Sequence, residues 1–263
     1  MKSKLFFLSV WMFLSLSLPL LSYAEPSGSI GALVSQAKKA SQRGDLASAK
    51  KYYDQALQQM DWVQKNTSQI RKDAEAINMK LIFSKSSFTA GNKIHVVKEG
   101  ETLSEIAKKY GTTTELIKRS NQLNSEHIQA GRKLKVLAGK VSIKVDKSAN
   151  QMEIYLDEKR IKSYRVATGK RNSTPVGTFK IINKVRNPIW YKEMGTAIPY
   201  GDPENHLGPR WMGFDKPSYG IHGTVEPKTI GTQASSGCIR MLNKDVEEIY
   251  AVVPIGTKVT VQN

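Results

Sequence analysis

From residue 141 this 263-residue chain becomes strand-rich, and in its first two runs the apolar residues recur at every second position. Val141, Ile143 and Val145 alternate with polar residues, and Met152, Ile154 and Leu156 repeat the pattern. A period of two puts one set of side chains on each face of an extended segment, so these runs are half-buried strands and not helices. Asp157-Glu158-Lys159 between them reads as a hairpin turn, and Gly177, Pro188, Pro199-Tyr200-Gly201 and Pro217 mark further turns. Asn243 is placed to cap a short helix running through Tyr250, with Asp245 and Glu247 near its start. Val252 onward, with Gly256, reads as a closing hairpin. The spacing predicts a mainly β domain over residues 139–263, long enough to bury one core.

Upstream the period changes. Residues 30 to about 83 are helical in pattern: Ala49, Tyr53 and Ala56 fall at i, i+4 and i+7, and Arg43-Gly44-Asp45 supplies a turn with an N-cap residue. The segment resembles one tetratricopeptide-type helix pair. A single repeat cannot stack into a solenoid, which needs about three. Residues 25–83 therefore read as a helical hairpin, a spacer or docking surface, with Met60 and Trp62 as packing residues. Residues 84–93 are polar and small, and read as a linker.

Residues 94–138 read as a compact βααβ unit. Ile94-His95-Val96-Val97 is a strand, and Thr102-Leu103-Ser104-Glu105 is a capping box opening a helix that ends at Tyr110-Gly111. Thr112-Thr113-Thr114-Glu115 reads as a second capping box, with its helix reaching about Asn121. After the turn at Ala130-Gly131, a last strand runs from Lys133 to Leu137. This order, with Gly-Glu-Thr-Leu at 100–103 and Asn121-Gln122-Leu123, resembles a LysM domain. The resemblance implies binding of glycans that contain N-acetylglucosamine, such as peptidoglycan and chitin. His95 and His127 read as surface or packing residues, because no Cys/His cluster has the spacing of a zinc site.

Chemistry concentrates near the C-terminus. Cys238, the only cysteine, sits in Ser235-Ser236-Gly237-Cys238-Ile239-Arg240, sixteen residues after the His of Ile221-His222-Gly223-Thr224. Small residues ending in Gly-Cys let a substrate approach the backbone and leave the sulfur accessible. A thiol needs a base to become a nucleophile at neutral pH, and a His near it in the fold is the usual partner. Arg240 shares a side with Cys238 if the segment is extended. Amides around Gly237-Cys238 are candidate oxyanion donors.

These motifs are similar to the signature of the L,D-transpeptidase catalytic domain (YkuD-like), which runs His-Gly, a spacer, then Ser-x-Gly-Cys-x-Arg. Thr174-Pro175-Val176-Gly177-Thr178-Phe179 is similar to that family's Thr-Pro-x-Gly segment. Asn187-Pro188 and Asn205-His206-Leu207-Gly208-Pro209-Arg210-Trp211 resemble its intermediate motifs, so the resemblance covers roughly residues 140–263. Ser236 stands where many members have His. The resemblance implies a β-sandwich, with Cys238 as nucleophile, His222 as base and the Gly223 carbonyl orienting the imidazole. Arg240, Ser236, Gly237, Ser235 and Tyr200 are then candidates for substrate contact, with Arg240 either binding a substrate carboxylate or bracing the loop. Trp211 and His206 wall the cleft or pack the core. The implied reaction cleaves a tetrapeptide stem between its third residue and the terminal D-alanine, keeps the acyl group on Cys238, and passes it to an amine. That amine is a second stem, giving a 3→3 crosslink, or a lysine of an outer-membrane lipoprotein, giving a wall anchor. With water as acceptor the same acyl-enzyme makes an L,D-carboxypeptidase. Ser236 leaves open an inactive LysM wall-binding protein. No cofactor or metal is implied.

Lys2 and Lys4, the apolar run 5–21 and Ser22-Tyr23-Ala24 form the pattern of a secretory signal peptide over residues 1–24. An uncleaved anchor is the alternative, since the run is close to spanning length. Without a Cys at the cleavage point, lipoprotein processing is not expected, and one Cys leaves no intramolecular disulfide. The formal net charge is +17, or +15 without Lys2 and Lys4. The basic residues are dispersed and not gathered in a stripe. With export, that excess suits an anionic wall polymer better than nucleic acid. The expected location is the periplasm or cell wall, with no stable membrane span after cleavage. The expected partner is peptidoglycan, glycan through the LysM-like unit and stem through the β domain. The helical segment is left as a surface for an envelope protein.

Overall fold

The computed structural model describes residues 28–60, 67–85, 92–192 and 195–263. The expected signal peptide, Trp62 and most of the expected linker lie outside the described residues. No helix among the described residues is long and apolar enough to cross a membrane.

The N-terminal hairpin consists of α1 (Ile30–Gln42) and α2 (Leu46–Met60). Ser29 caps α1 by accepting from the Ala32 amide, and the Asp45 carboxylate accepts from the Ser48 amide at the start of α2. Ala37, Ala40, Ala49 and Ala56 are fully buried, and such small residues let the two helices approach closely. A third helix, α3 (Thr67–Phe83), follows the hairpin. One side of it, Ala74, Ile77 and Leu81, packs on the hairpin. Another side carries Met79 and Ile82 into the core of the β domain. Asn78 Nδ2 donates to the Ile161 carbonyl at 3.0 Å, and the Ser163 hydroxyl donates to Glu75. The segment is thus more than a free hairpin: its last helix covers a strand of the β domain.

The βααβ unit comprises β1 (Asn92–Val96), α4 (Leu103–Tyr110), α5 (Thr114–Asn121) and β2 (Lys133–Leu137), with β1 antiparallel to β2. The Thr102–Glu105 capping box forms, and Gly111 ends α4 in the left-handed region. The second cap differs from expectation. Thr113, not Thr112, accepts from the Leu116 amide, because the Thr113 hydroxyl also donates to the buried Ala251 carbonyl. Glu115, freed from any capping role, pairs with Arg119 and Arg186. His95 is buried against Tyr110 and Glu101, a packing role. Lys135 is also buried: its Nζ donates to the carbonyls of Leu81 and Ser84, which closes the C-terminus of α3. Burial pulls that amine down to about 8. Leu116 and Leu137 join the same core as Met79 and Ile82, so one core holds side chains from all three segments.

The β domain contains β3 (Val141–Asp146), β4 (Gln151–Leu156), β5 (Lys159–Arg165), β6 (Thr168–Gly169), β7 (Gly177–Arg186), β8 (Trp190–Tyr191), β9 (Ala197–Ile198), β10 (Arg210–Phe214), β11 (Gly220–His222), β12 (Gln233–Ser235), β13 (Ile239–Arg240), α6 (Asn243–Val252) and β14 (Lys258–Gln262). Eight strands make one sheet in the order β13-β11-β10-β7-β14-β3-β4-β5. The β4–β5 turn forms with Asp157 and Glu158 both at positive φ, the conformation of a tight hairpin. Along β7, residues 177–180 pair with β14 and residues 181–186 with β10. The sheet therefore changes partner midway along its longest strand and curls around the core, in keeping with the expected mainly β class.

Two local expectations fail. The C-terminal strand closes no hairpin: β14 lies inside the sheet, parallel to β3 and antiparallel to β7. Asn243 does not cap α6 either. It is the first helical residue, and its Oδ1 accepts from the Thr224 amide at 2.8 Å. At the other end of α6, Lys184 Nζ donates to the carbonyls of Tyr250 and Val253, each at 2.6 Å.

Candidate active site

β11 lies between β10 and β13 and pairs with β13 in parallel, Ile221 against Ile239 and His222 against Arg240. Partners in register share a face. Ile221 and Ile239 are fully buried, while His222 and Arg240 stand side by side on the other face. Cys238 precedes β13 by one residue, and its thiol lies 3.3 Å from the carbonyl of Ser218.

His222 is 4 % exposed. Its Nδ1 donates to the Gly223 carbonyl at 2.7 Å, and its ring stacks on Trp211 with centroids 5.8 Å apart. Trp211 is fixed in turn by Asn183, whose Oδ1 accepts from the indole at 3.0 Å and from the Gly213 amide at 3.1 Å. Gly220 is required here, because a Cβ would stand 2.5 Å from the Met212 carbonyl and 2.9 Å from the Trp211 ring. Asn243, through Thr224, pins the loop that carries the Gly223 carbonyl.

Burial pulls the imidazole down to about 4, helped by the Arg240 charge and opposed by the Gly223 and Leu207 carbonyls. Burial also pushes the Cys238 thiol up, opposed by a hydrogen bond from the Gly220 backbone and by Arg240. Near pH 7 both groups therefore rest neutral. With Nδ1 committed as a donor, the lone pair of the neutral ring is on Nε2.

The turn before the sulfur is held by Ser235. Its hydroxyl donates to the Cys238 carbonyl at 2.6 Å and accepts from the Gly237 amide at 3.1 Å. That bond removes the Gly237 amide from the candidate oxyanion donors. Gly237 has φ 129, and a Cβ on it would lie 2.8 Å from the Tyr219 ring. Ser236 is exposed in the bend. Arg240 does not stand free: its Nη1 donates to Glu226 at 2.7 Å.

The sulfur opens into a cleft of about 640 Å³ whose walls include Ile189, Trp190, Tyr191, Leu207 and Trp211. Tyr200 is exposed in the turn after β9 and is not among the lining residues. His206 packs edge-on against Trp190, and Asn205 ties the Pro188 and Ile198 carbonyls together at 2.9 Å each. Trp190, Tyr191, Glu226 and Asn243 had no place in the sequence-based site. An aromatic pair two residues past Asn187-Pro188 was the only local signal among them. Among the described residues, no cluster of three or more His, Cys, Asp or Glu could hold a metal ion.

Residues 140–261 match the model of the L,D-transpeptidase catalytic domain, YkuD, and residues 95–137 match that of the LysM domain. YkuD of Bacillus subtilis strain 168, named as an L,D-transpeptidase, is 36% identical over 173 residues, which are 63% of this chain and 96% of that protein. YqjB of the same strain, also named as an L,D-transpeptidase, is 40% identical over 131 residues, 48% of this chain and 73% of that protein. Among solved structures, an L,D-transpeptidase from Mycobacterium smegmatis aligns with 51% of this chain and 64% of its own, with a TM-score of 0.41 at 18% identity.

Proposed function

The chain belongs to the L,D-transpeptidase family, and we propose that it is an exported enzyme that uses Cys238 to transfer peptidoglycan stems. Residues 1–24 are a signal peptide removed on export to the periplasm or cell wall. Residues 94–138 hold glycan, and residues 139–263 carry out the chemistry. The observation that carries this reading is the His222 ring: its Nδ1 is tied to a carbonyl, and in strand register it stands beside Arg240, two residues beyond the only thiol.

A neutral thiol and a neutral imidazole support the following order of events. A stem enters the aromatic cleft with the carbonyl of its L,D bond at the sulfur. His222 Nε2 takes the thiol proton as the sulfur attacks, so no thiolate need persist in the free enzyme. The tetrahedral oxyanion collapses as His222 returns the proton to the leaving amine of D-alanine. The remaining acyl group is then a thioester on Cys238. An incoming amine gives its proton to the again neutral His222 and attacks that thioester. The thiol is regenerated, and the product is a 3→3 crosslink or a stem joined to a lysine of a wall protein. The low pKa of His222 keeps the base unprotonated at neutral pH beside the Arg240 cation.

Incubating the protein with tetrapeptide stems and an amine acceptor, followed by mass analysis, tests the reading. Free D-alanine together with a crosslinked product is expected. D-alanine without crosslinks identifies water as the acceptor, and no D-alanine from wild type sinks the enzymatic reading.

A further inference from the structure

Arg240 is fixed and its partner is not. The Arg240 side chain is 13% exposed and the Glu226 side chain 47%. Their contact is a single one, Nη1 to Oε2 at 2.7 Å, and among the described residues the buried Nε of Arg240 has no hydrogen-bond partner. A guanidinium fork takes a carboxylate best through two parallel bonds, so Glu226 leaves this fork incompletely used. The Glu226 backbone is held: its amide donates to Thr224 Oγ1 at 2.9 Å, and its carbonyl accepts from the Thr229 hydroxyl at 2.7 Å. The loop thus presents the carboxylate to Arg240, while the side chain itself can swing into water.

We propose that Glu226 is a specificity-determining residue: an internal carboxylate that occupies Arg240 in the free enzyme and must be displaced by the free carboxylate of the acyl donor. This rests on the reading that Cys238 acylates on a peptide stem, whose terminal carboxylate lies next to the scissile bond. Arg240 stands in register with His222 and two residues beyond Cys238, so a carboxylate there lies within the reacting region. The displaced Glu226 is half in water already and loses little on leaving. A donor without a carboxylate cannot replace it, and leaves the Arg240–Glu226 pair closed.

The test compares wild type and Glu226→Gln on two tetrapeptide stems, one ending in a free carboxylate and one in a carboxamide. The neutral amide cannot hold the guanidinium as the carboxylate does. Glu226→Gln should lower KM for the carboxylate stem about three- to fivefold, the scale of one part-exposed ion pair. KM for the carboxamide stem should stay as in wild type, so the preference between the stems rises by the same factor. A KM that is unchanged, raised, or lowered equally for both stems overturns the proposal and makes Glu226 a brace for Arg240. Wild type that releases D-alanine in the same assay keeps the catalytic reading standing in that case. Wild type that releases none sinks both.

Discussion

The Nδ1 of His222 lies 2.7 Å from the carbonyl oxygen of Gly223, the next residue in the chain. A carbonyl can only accept, so this contact makes Nδ1 the donor and leaves the lone pair of the neutral ring on Nε2. A buried carboxylate in that place would raise the pKa of the imidazole. A neutral carbonyl raises it less, and burial wins, so the ring rests neutral. The carbonyl itself is positioned by tertiary contacts. A Cβ on Gly223 would clash with Asn243 Oδ1 and stand 2.8 Å from Pro209 Cδ.

Cys238→Ser should abolish turnover, because a hydroxyl has a far higher pKa than a thiol and His222 is a weak base. His222→Ala should cost on the order of 10²-fold or more, the usual scale for a general base. A carbapenem-type β-lactam, an acylating agent suggested by the family membership, should add once to wild type and not to Cys238→Ser. Intact-mass spectrometry reads the adduct, and equal labelling of both proteins would move the nucleophile elsewhere.

The shifted groups set the pH dependence. The acid limb of kcat/KM should fall near pH 4, not near 6.5, because the folded imidazole protonates only there. Stability carries the matching sign. The unfolded chain binds a proton on this His below about pH 6.5 and the folded chain does not, so its contribution is lost as pH falls from 6.5 toward 4. At about 1.4 kcal/mol per unit the loss is of the order of 3 kcal/mol by the lower end. His222→Gln should therefore lose less stability than wild type between pH 7 and pH 5 in urea unfolding. Parallel losses would show that the ring is not held neutral.

Ser235 and Ser236 are neighbours with different duties. Ser235→Ala removes the hydroxyl that bridges the Gly237 amide and the Cys238 carbonyl, a buried loss of about 1–3 kcal/mol. Ser236 is exposed, so Ser236→Ala should lower turnover roughly tenfold or less, about one neutral hydrogen bond. Side-by-side kinetics and melting curves decide. A larger effect at Ser236 would mean that this side chain touches substrate.

Lys135→Met should destabilise the protein by about 1–3 kcal/mol, because the buried hydrogen bonds from Nζ to the Leu81 and Ser84 carbonyls are lost. Removing residues 94–137 should cost pull-down on insoluble peptidoglycan, and stability as well. Leu116 and Leu137 leave the shared core, and Thr113 leaves Ala251. A deletion variant that melts like wild type would show the unit to be independent of that core.

The sequence by itself determined whatever is decided within a few residues. The Thr102–Glu105 capping box, the Asp157–Glu158 turn and the alternating runs of β3 and β4 depend on hydrogen bonds and side-chain directions a few positions apart. The proposed nucleophile and base were legible as candidates for a related reason: residue type restricts the chemistry, and this chain has one thiol and four histidines. Tertiary structure alone decided which groups meet across the fold. Alternation says that a strand has two faces but not which strand lies beside it, so β14 could be read as a hairpin arm while it pairs inside the sheet. A cap is chosen among competitors, so Thr113 displaced Thr112 once Ala251 offered its carbonyl. Asn243 serves Thr224 because chain folding brings together polar groups that would be costly to leave unpaired when buried, and Glu226 meets Arg240 because its loop, held at Thr224 and Thr229, presents the carboxylate there. Those pairings set the orientation and charge of the site, and their energy depends on distances that exist only in the folded chain.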